Sequence, residues 1–469
     1  MLELTVITES GDFLKRILAL ICAAMLFASA AACGKNKTAG SSSAASTGSS
    51  DSSASSTEGL IDVKLSVDEE YDLNTDTLRL YMQKAEMYDL NDFASNTVDY
   101  YSFIGSSDLH TPARIRINSV GNPEKIELLV SENKDMSDPR VFDATGHGTV
   151  NINALKTGTA YYCMARFTAD GEEKQTETYE FRTLDGPRVI AVGGVGNFRD
   201  MGSWPADGGK RIKQGLVYRC ASIDNVTDDG RQLLTGLLGV KTDLDLRTEA
   251  EVAEEYRTRS PISADVNYVR VPIAAYRSFL YGGDGSGKAL KLFADLDNYP
   301  IVFHCAAGAD RTGTLAFMLE SFVGVDERNV FIDYELTPNR PRSYTAGDDG
   351  FEQLVTGLRA AQGNTSHDKA VTIMRRVGLT DMEMSNIYNI LMTDSAVFKS
   401  QSLSHQTPSD GKVSFELNMR KSKSVTSVTL EGKKVAYGLK NGTLTVNVGN
   451  SAGRGEITFD DLSTLMFKV

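Results

Sequence analysis

The sequence predicts a multidomain protein: a central α/β domain with a largely parallel sheet flanked by helices, and β-sandwich-like domains before and after it. Three observations carry this. Short apolar runs alternate with helical spacing between about residues 187 and 398, as in layered α/β domains. Period-two apolar runs separated by turn residues occupy 111–186 and 408–469, as in half-buried strands. At 469 residues, 41% hydrophobic and 24% charged, the chain can bury several cores. Its formal charge of −13 excludes a nucleic-acid binder that needs a basic face.

Taken in order, residues 1–32 read as an export signal. Lys15 and Arg16 precede the apolar run Ile17–Phe27, which is too short for a comfortable span. Small residues then lead to Cys33. This resembles a bacterial lipoprotein signal, and the resemblance implies cleavage before Cys33, lipid on its sulfur and an extracytoplasmic, membrane-anchored protein. Residues 33–59 are dominated by Ser, Ala, Thr and Gly and lack the apolar content to fold. Such a tether has an r.m.s. span of roughly 25 Å. Of five cysteines, Cys22 and Cys33 lie in this region, and Cys163, Cys220 and Cys305 show no paired spacing. No disulfide framework is expected.

Residues 60–110 show no clean period and stay unassigned. From 111 to 186, Ala113, Ile115 and Ile117 alternate with Arg114 and Arg116, and Ile126, Leu128 and Val130 follow the same rule. The runs 161–167 and 179–183 flank an Asp170-Gly171 turn. The stretch Leu155–Tyr162 resembles the signature of fibronectin type III modules, which implies a spacer without catalysis. In the central domain, 240–246, 268–273 and 301–304 read as strands and 312–322 as a helix. Toward the end, Val413, Phe415, Leu417 and Met419 alternate, and Asn441-Gly442 marks a hairpin in a small β domain.

The chemistry concentrates in His304-Cys-Ala-Ala-Gly-Ala-Asp-Arg-Thr-Gly313, between a strand and a helix start. Ala306, Ala307, Gly308 and Ala309 let a loop curl with its N–H groups inward, an anion cradle at a helix N-terminus. Arg311 offers a planar fork for two phosphate oxygens. The same field lowers the pKa of Cys305 and prepares it for attack on phosphorus. Thr312 can donate to the sulfur, and Gly313 continues the turn into the helix. His304 reads as structural, tuning Cys305 through loop hydrogen bonds.

This loop resembles the signature of protein tyrosine phosphatases, in particular a bacterial branch of atypical tyrosine/serine and lipid phosphatases. Asn197–Gly202, Val217–Arg219, Asp245–Glu251 and Asp333–Thr337 match further elements of that branch in order. The resemblance covers about 200 residues and implies a phosphoric monoester hydrolase acting through a phosphocysteine, with Cys305 and Arg311 catalytic. It makes Asp310 the first choice of general acid, ahead of Asp245 and Asp200, which could instead partner Arg247 and Arg199. Ala309 stands where the branch carries a Lys associated with highly phosphorylated inositol lipids, which favours phosphotyrosine, with phosphoserine/threonine beside it. The alternatives are an inositol phosphate or phosphoinositide phosphatase, and a surface binding protein with a vestigial phosphatase fold. The expected partners are a phosphorylated protein or small phosphomonoester and a membrane held through the lipid anchor. The five histidines lack metal-ligand spacing, and Gly282–Ala289 lacks the final hydroxyl of a nucleotide-binding loop, reading instead as a flexible glycine-rich loop. No metal or cofactor is called for.

Overall fold

The computed structural model describes residues 61–87, 89–91, 109–282, 285–337, 349–392, 408–416, 424–441, 443–459 and 464–469. The signal, Cys33 and the tether lie outside the described residues, as do Leu417, Met419, Gly442 and His405.

The alternating runs before the central domain become strands in the expected places. A three-stranded sheet orders β1 (Asp62–Ser66), β3 (Ala113–Val120) and β6 (Thr149–Ile152). A six-stranded sheet orders β2 (Glu70–Tyr71), β9 (Tyr179–Thr183), β7 (Ala160–Ala169), β4 (Lys125–Ser131) and β5 (Arg140–Asp143), with β8 (Glu172–Gln175) beside β7. Their inward residues, among them Val63, Ile115, Leu128, Val150, Tyr161 and Phe181, form one core. Within the unassigned stretch, Thr75 caps helix α1 (Asp76–Ala85) by accepting from the Leu78 N–H. Its buried Leu78, Tyr81 and Ala85 join the core of the central domain.

The central sheet has six strands. Four run parallel in the order β14 (Val217–Cys220), β17 (Ile301–His304), β15 (Thr242–Asp245), β16 (Asn267–Arg270). Antiparallel β11 (Arg199–Asp200) and β10 (Arg188–Val189) extend the β14 edge. A small hairpin, β12 (Pro205–Ala206) and β13 (Lys210–Arg211), stands apart. Every residue of β14, β15 and β17 is buried, as layers on both faces require. Helices α2 (Asp228–Gln232), α3 (Arg277–Leu280) and α4 (Ser286–Leu292) precede β17. The glycine-rich segment expected to be loop thus enters a helix at Ser286, since Ala289 and Leu290 reach the core.

After β17 come α5 (Asp310–Val323), α6 (Glu327–Glu335), α7 (Asp349–Arg359), α8 (Ser366–Arg376) and α9 (Asp381–Met392). Helix α5 is buried from Thr312 to Val323, the mark of a central helix covered on all sides. None of the described helices is long and apolar enough to cross a membrane.

The last region holds two sheets. One orders β18 (Lys412–Glu416), β22 (Thr443–Asn447) and β21 (Tyr437–Lys440); the other β20 (Lys433–Lys434), β19 (Val425–Leu430), β23 (Arg454–Phe459) and β24 (Thr464–Lys468). Asn441, at φ 52°, turns β21 into β22. Val413, Leu444, Val446, Ile457 and Phe467 form the core here.

Candidate active site

Strand β17 delivers Cys305 at the C-terminal edge of the parallel strands, the edge where open α/β sheets place their sites. The chain then turns through 306–309 into α5. Gly308 makes the turn at φ 68°, and a Cβ there would stand 2.4 Å from the Cys220 carbonyl oxygen. Among the described residues, the N–H groups of 306–311 have no protein oxygen as hydrogen-bond partner, and that of Ala307 favours the Cys305 thiolate.

The loop carbonyls are held from outside by the elements singled out around the signature. Asn197 Nδ2 donates to the Ala307 and Gly308 carbonyls at 3.2 and 3.1 Å. Arg219 Nη2 donates to Gly308 O at 3.1 Å, and Ser222 N–H to Ala306 O at 3.1 Å. Asn197 is fixed by Arg199 at 2.5 Å, and Asp333 takes both Arg199, at 2.9 Å, and Arg219. Burial pushes the Asp333 carboxyl up, but the two guanidiniums outweigh it and hold it at about 2. With carbonyls tied outward, the amides are left for an anion.

Cys305 is 2% exposed. Burial pushes its thiol up; the Thr312 hydroxyl and N–H, the Arg311 charge and the Ala307 N–H together bring it below the ordinary thiol value. The buried Thr312 hydroxyl has no other hydrogen-bond partner in this geometry, so it is at hand for an anionic sulfur. Arg311 meets Glu251 in a two-pronged bridge of 2.8 and 2.7 Å. Glu251 also accepts from the Thr248 N–H at 2.9 Å, and the Arg311 hydrogen bonds lead the effects that lower its carboxyl to about 2. The guanidinium is thereby held over the loop.

The candidate acids separate by surroundings. Asp310 opens α5, and one of its oxygens accepts from the Tyr276 phenol. Asp245 is buried and held by Arg247 at 2.8 Å and by the Tyr268 phenol at 3.0 Å; despite burial its carboxyl is lowered, so it stays ionised. Asp200 partners Arg188 at 2.6 Å, not Arg199, and takes the Gly202 and Gly215 amides. Neither Asp245 nor Asp200 has the freedom of a proton donor.

His304 is buried with Nε2 3.0 Å from Asp243, whose other oxygen accepts from Ser260 at 2.7 Å. Burial lowers its imidazole and Asp243 more than restores it, leaving it raised. Ala309 is 1% exposed, so its contribution to a ligand is through backbone. Gly313 gives its N–H to the Ala309 carbonyl at 2.6 Å, and its missing side chain admits the Tyr334 ring. Cys163, Cys220 and Cys305 are free and buried. Two neighbours of the loop carry little signal in the sequence: Glu251 closes the Asp245–Glu251 motif with no role attached to it, and Tyr276 belongs to no motif or period.

A buried thiol of lowered pKa beside loop amides that meet no protein oxygen and an arginine has the make-up of a candidate site for a tetrahedral oxyanion. Comparison with known proteins agrees: residues 190–356 match the tyrosine phosphatase family. The chain is 26% identical over 191 residues to a tyrosine-protein phosphatase of Nostoc commune, covering 35% of this chain and 65% of that protein. It is 26% identical over 192 residues to the triple specificity protein phosphatase PtpB of Mycobacterium tuberculosis, covering 31% and 68%. The first of these matches therefore spans less than two thirds of its relative. Among solved structures, the catalytic domain of the PP-IP phosphatase SIW14 from S. cerevisiae overlays at TM-score 0.22 and 20% identity, across 28% of this chain and 78% of that one.

Proposed function

We propose that this chain hydrolyses phosphotyrosine, and phosphoserine/threonine beside it, through a phosphocysteine on Cys305. The observation that carries the reading is the run of amides at 306–311 that meet no protein oxygen, around a thiol of lowered pKa. Arg311 binds two phosphate oxygens while the amides take the third. The thiolate attacks phosphorus, and Asp310 protonates the leaving oxygen. Thr312 then stabilises the sulfur as water releases phosphate.

A single phosphate suits the surroundings better than several. Ala309 offers no cation, and the arginines around the loop are engaged: Arg199 and Arg219 by Asp333, Arg247 by Asp224 and Asp245. A second phosphate would meet the carboxylates of Glu251 and Asp224. We further propose export and anchoring through a lipid on Cys33, supported by the Lys15–Cys33 pattern and the tether. In this arrangement residues 187–398 are the catalytic domain. Residues 111–186, with two sheets on one core and the Leu155–Tyr162 stretch, serve as a fibronectin type III-like spacer.

The test compares kcat/KM on a phosphotyrosine peptide with that on inositol hexakisphosphate under reducing conditions, for wild type and Cys305→Ser. Preference for the peptide by about tenfold or more, about 1.4 kcal/mol in the barrier, and loss of both activities in the variant are expected. The opposite preference would move the substrate to inositol phosphates. Inactivity on every monoester would leave a binding protein.

A further inference from the structure

Tyr276 lies in the segment after β16 at φ 57° and ψ −132°, and it is the only aromatic residue at positive φ among the described residues. Bulky side chains avoid this region, and where one persists the surroundings hold it there. Here the contacts converge on one residue. The Tyr276 N–H donates to Thr314 Oγ1 at 2.9 Å, and that hydroxyl donates to the Asp310 carbonyl at 2.8 Å. The Tyr276 phenol donates to Asp310 Oδ1 and lies 3.0 Å from the Tyr334 hydroxyl. Tyr334 is in turn stacked on Phe351, with ring centroids 3.8 Å apart. Asp310 Oδ2 has no hydrogen-bond partner among the described residues.

We propose that Tyr276 is a positioning residue for proton transfer: it anchors Oδ1 of Asp310 and leaves Oδ2 for the reaction. The proposal rests on the phosphatase reading. In the first step the Cys305 sulfur bonds to phosphorus, the bond from phosphorus to the leaving oxygen breaks, and that oxygen takes the proton from Asp310 Oδ2. In the second, water attacks phosphorus, its proton passes to Oδ2, and the thiolate leaves as the sulfur–phosphorus bond breaks. Tyr276 keeps its own proton throughout. From this backbone position both its N–H and its phenol reach the start of α5.

The experiment uses Tyr276→Phe, Asp310→Asn and the double variant on two substrates. Phenyl phosphate has a poor leaving group that needs a proton; p-nitrophenyl phosphate needs one far less. For Tyr276→Phe, kcat should fall about tenfold or more on phenyl phosphate and less than about twofold on p-nitrophenyl phosphate, with KM little changed. The double variant should be no slower than Asp310→Asn, because the two act as one unit. Tyr334→Phe, which leaves the Tyr276 phenol in place, should show the same leaving-group dependence more weakly, and it carries the test if Tyr276→Phe does not fold. Equal losses on both substrates, no loss on either, or additive losses in the double variant would overturn the proposal. A wild type inactive on both substrates would instead remove the phosphatase reading beneath it.

Discussion

Gly308 is the residue on which the loop geometry turns. At φ 68° an added Cβ costs about 1–2 kcal/mol in backbone energy alone, and it would drive into the Cys220 carbonyl and the Ala221 amide. Gly308→Ala is therefore expected to lower the melting temperature and to cut kcat/KM by about a hundredfold, since the loop amides lose their aim. Gly236→Ala, where nothing stands within 4 Å, is the control and should be neutral or slightly stabilising. Equal behaviour of the two variants in thermal unfolding and turnover would show that the loop tolerates another shape. The chemistry of Cys305, Gly308 and Arg311 was legible in the sequence because all of it falls within one turn of chain. Glu251 stands 60 residues from Arg311, and only the fold brings the two together. Tyr276 was illegible for a related reason: positive φ at a tyrosine leaves no pattern to read.

Helix α5 joins the site to the buried charge network behind it. Its apolar spacing and the run Ile301–His304 before it announced a strand–loop–helix unit, and both elements fall where the periodicity puts them. What periodicity could not announce is Glu320 on the same helix. It is 1% exposed, and its carboxyl lies beside that of Asp333. Burial, followed by the charge of Asp333, raises its carboxyl well above the ordinary value of 4.5. The direction of that shift favours the neutral acid. A raised folded-state value means that its stability contribution is full below about pH 4.5 and is lost as pH rises through the folded value. Glu320→Gln keeps the shape and removes the charge, so the melting temperature should fall less steeply toward alkaline pH than in wild type. Parallel melting curves across the pH range would contradict this. Asp333, held low by its two arginines, is the ionised partner that lets α6 pin Arg199 and Arg219 behind the loop. The sequence pattern flagged all three residues without showing that one carboxylate serves both cations.

At the scale of the whole molecule, the central α/β domain does not stand apart from what precedes it. Tyr81 of α1 donates to Glu335, Arg328 donates to the Ala85 carbonyl, and Arg188 holds the Ala154 and Leu155 carbonyls. A short amphipathic helix can be read from sequence, but which core it completes depends on partners hundreds of residues away. The central α/β layers were legible where a short apolar run such as Ile301–Phe303 leads into helical spacing, whereas α1 sits in a stretch of mixed polarity. The proposed reaction turns on one sulfur, and the most direct measurement is rapid-quench mass spectrometry of the protein mixed with a phosphotyrosine peptide. The account predicts a transient phosphate on the peptide containing Cys305, formed as fast as the first turnover and absent in Cys305→Ser. Turnover without any phosphate on Cys305, or unchanged turnover in Cys305→Ser, would contradict it.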